Sequence, residues 1–393
     1  MVGSPVLIDA IRTPMGRGKA GGALSDIHPA DLLGGLFRVL VARNDLDPGS
    51  VDDVIVGCVS QVGEQAGPPA RIAWLGAGFP EHVPSTTVDR RCGSSQQAVH
   101  FAAQGIAAGA YDIVIAAGVE SMSRVPMFTA RIGQDPCGTQ LYARYEKGLI
   151  PQGISAERIA AKWGVSREEL DAYSARSHQR AAAARDSGAF DREIVPVTVN
   201  GRELTQDETI RASTTADALG QLKLSFVDDE MKARFPEIEW TVTAGNSSQL
   251  ADGASALLLM SEEAATRLNL RPRARFVAYD VIGDDPIMML TAPIPATRRV
   301  LAKAGLKVND IDHFEVNEAF ACVPLAWQRE FDVDPARLNP RGGAVALGHP
   351  LGASGGRLMT TMLNALEQTG GRYGLQTMCE AGGLANATII ERL

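Results

Sequence analysis

Cys92, Asn317, His349 and Cys379 each stand where the chain leaves a regular element, and their types are those of covalent catalysis. In VDRRCGSSQQAV, Cys92 follows an apolar stretch and directly precedes Gly93, Ser94 and a helical run. A thiol at a helix start meets free backbone N–H groups and the positive end of the dipole, which predicts a pKa below the ~8.5 of a free cysteine. The alternative for a lone cysteine there is a small buried apolar residue. His349, in VALGHPLGASGGR, lies between Gly348 and Pro350 with Gly352, Gly355 and Gly356 just beyond. That is a tight turn, which offers an imidazole either to a reacting group or to solvent. EVNEAFA ends one apolar run with Asn317 and Glu318, and TMCEAGG ends another with Cys379 beside small residues that let a ligand near the backbone. A nucleophile needs a base and donors for an oxyanion, and these segments supply candidates for both. Three such segments in one half of the chain are hard to explain by packing.

The elements that must position these residues follow an α/β pattern. In the first 120 residues the apolar runs PVLIDAI, DDVIVGCV and DIVIAAG alternate with the helical stretches ADLLGGLFRVLVAR and QQAVHFAAQGIAA. Residues 272–393 repeat the alternation in RARFVAYDVIG, IDHFEVNEA, GRLMTTMLNALEQ and GLQTMCEAG. The spacing agrees as well, with 19 residues from Cys92 to Tyr111 and 19 from Ser354 to Tyr373. Two related halves are expected. Met359, Met362, Leu363 and Leu366 fall on one helical face and are read as core. Residues 121–248 differ: turn-rich stretches, a helix opened by a Ser166/Glu169 capping box, and a polar segment from Asn200 to Thr215. They read as an insertion carrying binding loops. Its Arg202, Arg211, Lys223, Lys232 and Arg234 could meet an anionic ligand or form a solvated face. The expected division is 1–120 completed by 249–271, the insertion 121–248, and 272–393.

Composition sets the outer limits. With 393 residues, 45% hydrophobic and 21% charged, the chain reads as a soluble protein of more than one packed unit. No apolar run approaches the ~20 residues of a membrane span, and MVGSPVLIDAIRTP reads as a strand and turn rather than a targeting peptide. The net charge of −8 argues against a general nucleic-acid binder. Five cysteines with no C-x-x-C pair argue against zinc and against a disulfide framework, and point to a reducing, cytoplasmic compartment. Cys58 and Cys322 are read as core, Cys137 as a loop residue without a partner, and His28, His82, His100, His178 and His313 have no motif around them.

Taken together, CGSSQQAV, GVESMSR, TVTAGNSSQLADGA, NEAF, GGAVALGHPLGASGGR and CEAGG resemble, in order and spacing over essentially the whole chain, the thiolases: acetyl-CoA acetyltransferases and 3-ketoacyl-CoA thiolases. The resemblance implies an α/β fold of two related halves in a five-layered αβαβα arrangement with an inserted loop domain that binds coenzyme A. It implies reversible thiolytic cleavage of 3-oxoacyl-CoA to acyl-CoA and acetyl-CoA through an acyl-enzyme on Cys92. His349 would be the base that activates Cys92, and Cys379 the acid/base at the α-carbon of acetyl-CoA. Asn317 would hold a water that forms one oxyanion site with His349; the N–H groups of Cys92 and Ala381 would form the other. Ser248 would contact coenzyme A, which enters as a substrate; no permanently bound cofactor or metal is implied. The family suggests a homodimer or homotetramer without membrane or nucleic-acid partners.

The chain departs from the family pattern at two places. Ala381 stands where glycine is usual, and alanine disfavours positive φ beside an oxyanion donor. Pro151, Gln152 and Gly153 replace the His-Met pair found before this glycine in short-chain biosynthetic members, so that assignment does not carry over. Two rivals remain: a ketosynthase-like condensing enzyme, in which histidine would replace Cys379, and a noncatalytic acyl-CoA-binding or scaffold protein of the same fold.

Overall fold

Short apolar strands alternating with helices bury their faces by layering helices over a sheet. A computed structural model gives the fold of residues 3–145 and 148–393. The strands are β1 (Pro5–Arg12), β2 (Gly16–Arg17), β3 (Asp53–Gly57), β4 (Ser85–Val88), β5 (Ile113–Ser121), β6 (Val197–Val199), β7 (Arg202–Leu204), β8 (Ala251–Ser261), β9 (Ala274–Gly283), β10 (His313–Val316), β11 (Tyr373–Glu380) and β12 (Leu384–Arg392). Ten of them form one sheet in the order β10-β11-β12-β9-β1-β8-β5-β3-β4, with β2 added on β8.

The two halves repeat one pattern. In the first, β3 is parallel to β5, β5 antiparallel to β8, and β8 antiparallel to β1. In the second, β10 is parallel to β11, β11 antiparallel to β12, and β12 antiparallel to β9. A helix precedes the corresponding strand in each, Ser94–Ala107 before β5 and Ser354–Thr369 before β11. The halves meet edge to edge through two residue pairs, Val6 with Arg275 and Leu7 with Ala274, so the sheets are continuous where the sequence shows two separate sets.

Five layers result. Helices Pro29–Arg43 and Pro69–Gly76 cover one face of the first half-sheet around Phe37 and Trp74. The Ser94 and Ser354 helices lie between the half-sheets, where Val99 and Ala102 pack with all four of Met359, Met362, Leu363 and Leu366. Helices Pro293–Ala304 and Cys322–Phe331 cover the far face around Phe314 and Trp327. Trp327 is fully buried and its Nε1 donates to Thr297 Oγ1 at 2.9 Å. The middle helices approach closely enough that a Cβ on Gly355 would lie 2.4 Å from the backbone nitrogen of Gln96. This contact brings the segment after His349 against the helix after Cys92.

Residues 121–248 hold the helices Gln152–Trp163 and Arg167–Asp186, several shorter helical segments and the β6–β7 ribbon. The capping box forms, with Ser166 Oγ accepting from Glu169 N and Glu169 Oε2 from Ser166 N. The segment that begins at Asn200 is more regular than its polarity suggests. Asn200 and Gly201 both take positive φ and close a two-residue hairpin between β6 and β7. No helix of the described residues is long and apolar enough to cross a membrane.

Candidate functional site

The turn after β4 carries Cys92. Arg91 adopts a left-handed φ of 49°, and the N–H groups of Gly93 and Ser94 bond back to the carbonyls of Arg90 and Arg91. Ser94 Oγ ties the turn by accepting from Arg90 N and donating to the Arg91 carbonyl. Gly93 is the N-cap of the Ser94 helix, so Cys92 stands one residue before the cap. Its side chain is buried against Leu351, Leu358 and Met378, between the His349 turn and the end of β11.

This burial reverses the expected electrostatics. The Cys92 thiol is pushed well above its ordinary range, first by loss of solvent and then by the neighbouring Cys379 and Glu380, with weaker opposing pulls from its own backbone N–H and from Arg91. The helix-start argument fails because apolar residues brought from more than 250 positions away close over the sulfur, and desolvation outweighs the dipole. His349 is pushed the other way, to about 3, by burial and then by the Arg357 guanidinium. The resting pair is therefore a neutral thiol and a neutral imidazole.

His349 sits in a loop pinned by its own N–H to the Gln249 carbonyl at 2.8 Å. Its Nδ1 lies 2.5 Å from Ser354 Oγ, whose hydrogen is directed to the Pro350 carbonyl at 2.8 Å. With that hydrogen assigned to the Pro350 carbonyl, Ser354 accepts from Nδ1–H and the Nε2 lone pair faces the Asn317 amide. The Asn317 amide is consistent with this tautomer, because its Nδ2 faces Nε2 at 3.4 Å. The imidazole is poised to accept a proton at Nε2.

Asn317 extends the β10–β11 ladder by donating its N–H to Thr377 O at 3.1 Å. Its Nδ2 also lies 3.9 Å from Cys379 Sγ. Burial and then Glu380 push the Cys379 thiol up to about 12, while the Asn317 amide and the backbone N–H groups of Cys379 and Ala319 draw it back toward the thiolate. A weakly acidic thiol held by such donors suits a group that both gives and takes a proton at carbon. Glu318, the other polar residue of this strand end, is pinned away from the thiols by Tyr173, Ser177, Asn339 and the Val345 N–H. It braces the loop.

Ala381 opens the turn between β11 and β12, and its φ is not positive. The left-handed positions fall on Gly382 and Gly383, so the alanine is unstrained, contrary to the concern raised by its type. Ser248 is held at the site by its N–H bond to Ala319 O at 2.9 Å. Arg211 reaches the same loop through Gln249, and Lys223 lies in a segment bridged to it at Leu224–Thr243. Lys232 pairs instead with Asp229, and Arg202 lies on the β6–β7 ribbon. Arg234 bonds to the Gly148 carbonyl. Cys58 and Cys322 are fully buried, the latter in the apolar cluster that holds Cys379. Among the described residues no cluster could hold a metal ion.

Sequence reasoning overlooked Ser354 as the residue that orients His349. The signal was present, a hydroxyl five positions on in a turn-to-helix segment, but it is also an ordinary helix-start residue. Asn317→Ala is expected to lower kcat for thiolysis by roughly 10²–10³ with little change in KM, the scale of one lost oxyanion donor. Steady-state kinetics within threefold of the parent would remove Asn317 from the mechanism.

The sequence and the fold are similar to those of known proteins. The thiolase N-terminal domain family matches residues 5–263 and the thiolase C-terminal domain family matches residues 270–392. The steroid 3-ketoacyl-CoA thiolase FadA6 of Mycobacterium tuberculosis is 50% identical, covering 98% of this chain and 94% of that protein. A 3-ketoacyl-CoA thiolase of Citrobacter koseri is 44% identical over 99% of this chain and 98% of its own length. The crystal structure of an acetyl-CoA acetyltransferase from Bacillus anthracis superposes with a TM-score of 0.88 at 37% identity, covering 100% of this chain and 99% of that one.

Proposed function

The chain is a member of the thiolase family, and from that premise we propose that it cleaves 3-oxoacyl-CoA with free coenzyme A, giving acetyl-CoA and a shortened acyl-CoA. One observation carries the reading: the Asn317 amide lies between His349 Nε2 and the Cys379 thiol, and Cys379 acts directly on Cys92, which packs against Leu351 from the His349 turn. His349 takes the Cys92 proton as the sulfur attacks the 3-oxo carbon. The bond between C2 and C3 breaks, leaving the acyl group on Cys92 and an acetyl-CoA enolate, which Cys379 protonates at carbon. Coenzyme A then displaces Cys92 from the acyl thioester. A water held by Asn317 serves one oxyanion together with His349, and the N–H groups of Cys92 and Ala381 serve the other. A cysteine at 379 favours this reaction over decarboxylating condensation. Turnover of acetoacetyl-CoA with coenzyme A tests the reading, and absence of turnover would leave a noncatalytic acyl-CoA-binding protein.

Residues 121–248 are proposed as the coenzyme A-binding insertion between residues 1–120, completed by 249–271, and 272–393. Ser248, with Arg211 and Lys223 exposed around its loop, supports that placement. The edge position of β4 and the exposed Phe101 support pairing of two copies, as a homodimer or a dimer of dimers, and five cysteines without a C-x-x-C pair support a reducing, cytoplasmic location.

The acyl pocket favours substrates longer than acetoacetyl-CoA. Met288, Met289 and Leu290 are buried in the cluster that contains Cys379 and Phe320. Gly153, in the segment that replaces the His-Met pair, packs under Phe226, which meets Phe320 edge to face at 5.9 Å. Each added methylene in such a pocket contributes roughly 1–3 kcal/mol of discrimination. Substrates of about six or more acyl carbons, on that per-methylene scale, are expected to be cleaved at least as efficiently as acetoacetyl-CoA. A steady fall in kcat/KM from the four-carbon substrate upward would reject this.

A further inference from the structure

Glu380 follows Cys379 at the end of β11 and is fully buried. Side chains alternate along a strand, so Glu380 faces the Ser94 helix rather than the Asn317 side. Its carboxyl lies on the Cα of Gly93, close enough that a Cβ built there would meet Oε1 at 1.9 Å. Neither carboxyl oxygen has a hydrogen-bond partner of normal geometry among the described residues. The Oδ1 of Asn386 is buried without a donor as well, and it lies 3.3 Å from that same Cβ position. The Asn386 amide is engaged on its other side, where its Nδ2, as assigned from that network, lies 3.2 Å from Gln97 Oε1 and 3.1 Å from His100 Nδ1. Two acceptors thus meet in one buried site, where the Asn386 N–H acts on the acid without forming a hydrogen bond of normal geometry. A carboxylate in that setting gives up its charge, and the neutral acid supplies the missing O–H.

We propose that Glu380 is held as a neutral carboxylic acid hydrogen-bonded to Asn386 Oδ1, that this pair positions the Cys92 turn through Gly93, and that loss of the Glu380 proton suppresses acylation at alkaline pH. The proposal rests on the reading of Cys92 as the acylated nucleophile. The titratable and charged groups around the acid are Asp89, Arg90 and Cys92 from the turn, His100 behind Asn386, and Cys379 on its own strand. Burial pushes Glu380 well above the carboxylate range, and Arg90 and the Asn386 N–H oppose that more weakly. A negative charge here stands beside the sulfur on which a thiolate and then a tetrahedral oxyanion must form, so it opposes both. The active form is therefore present below the Glu380 pKa and lost as pH rises through it.

Single-turnover acetylation of Cys92 by acetyl-CoA, read by peptide mass from neutral to alkaline pH, tests this in the parent, E380Q and E380L. The parent is expected to lose about tenfold or more of its rate on the alkaline side, as one pKa unit demands. E380L, similar in size but without a donor, should be slower by about tenfold at every pH, because Asn386 Oδ1 stays unpaired. E380Q, whose amide can donate but cannot ionise, should restore most of the neutral rate and hold it where the parent falls. A parent with no alkaline fall overturns the proposal whatever the variants do, and so does an E380Q that falls with the parent or is as slow as E380L. Iodoacetamide alkylation of Cys92 over the same range reads the thiolate without relying on its catalytic role. Acetyl found on another residue, with alkylation of Cys92 faster in E380Q than in the parent at alkaline pH, would defeat the nucleophile assignment and uphold the Glu380 pair.

Discussion

Cys92→Ala is expected to reduce thiolysis by at least about 10⁴-fold, beyond what one acid/base group commonly supplies, because the acyl group then has no covalent resting place. Incubation of the parent with acetyl-CoA should place one acetyl group on the peptide containing Cys92. Acetylation that persists in the variant, or that maps to Cys379, would overturn the assignment. The neutral resting pair adds a pH signature. His349 must be unprotonated to accept the Cys92 proton, and its pKa is lowered to about 3, so the competent form persists well below the ~6.5 of an ordinary histidine. Acylation should stay level as pH falls through the range in which an exposed histidine would switch off. A loss centred near the ordinary value would mean that the imidazole is solvated and charged in the working enzyme.

The parts of the site legible in the sequence are those fixed by local chain geometry. Cys92, Asn317, His349 and Cys379 stand at turns and strand ends, where a polar or reactive type beside glycine has few packing explanations. The same holds for the repeated halves, since the apolar runs and the face of Met359, Met362, Leu363 and Leu366 come from short-range periodicity. What escaped depends on partners far along the chain. Glu318 was read as a strand-end polar residue, yet Tyr173 and Ser177, more than 140 positions away, bind it and make it a brace. The Cys92 electrostatics went the wrong way because Leu351, Leu358 and Met378 cannot be seen around residue 92 in the sequence. The Asn200–Gly201 hairpin is the exception: its signal was local, a two-residue Asn-Gly between short β-prone runs, and the polarity of the segment obscured it.

Cys379→Ala should separate the two halves of the reaction. Acylation of Cys92 from a simple acyl-CoA requires the thiol, the imidazole and an oxyanion site, none of which Cys379 supplies. Cleavage of the bond between C2 and C3 releases a carbanion equivalent that must be protonated at carbon, and the thiol near Asn317 Nδ2 is the group placed to do it. The variant is therefore expected to form acetyl-Cys92 at close to the parent rate while thiolysis of acetoacetyl-CoA falls by roughly 10²–10⁴, the contribution of a positioned acid/base. The buried site argues against solvent as a substitute, since Cys379 has no exposure and its acidity is set chiefly by burial, Asn317 and Glu380. Serine at 379 should not restore the rate, because a hydroxyl of similar size is a far weaker acid than a thiol and gives a poorly matched base. Near-parent thiolysis in Cys379→Ala would show that the proton at carbon comes from elsewhere, with His349 the next group in reach through Asn317. A joint loss of acylation and cleavage would instead mean that Cys379 supports the Cys92 pocket structurally.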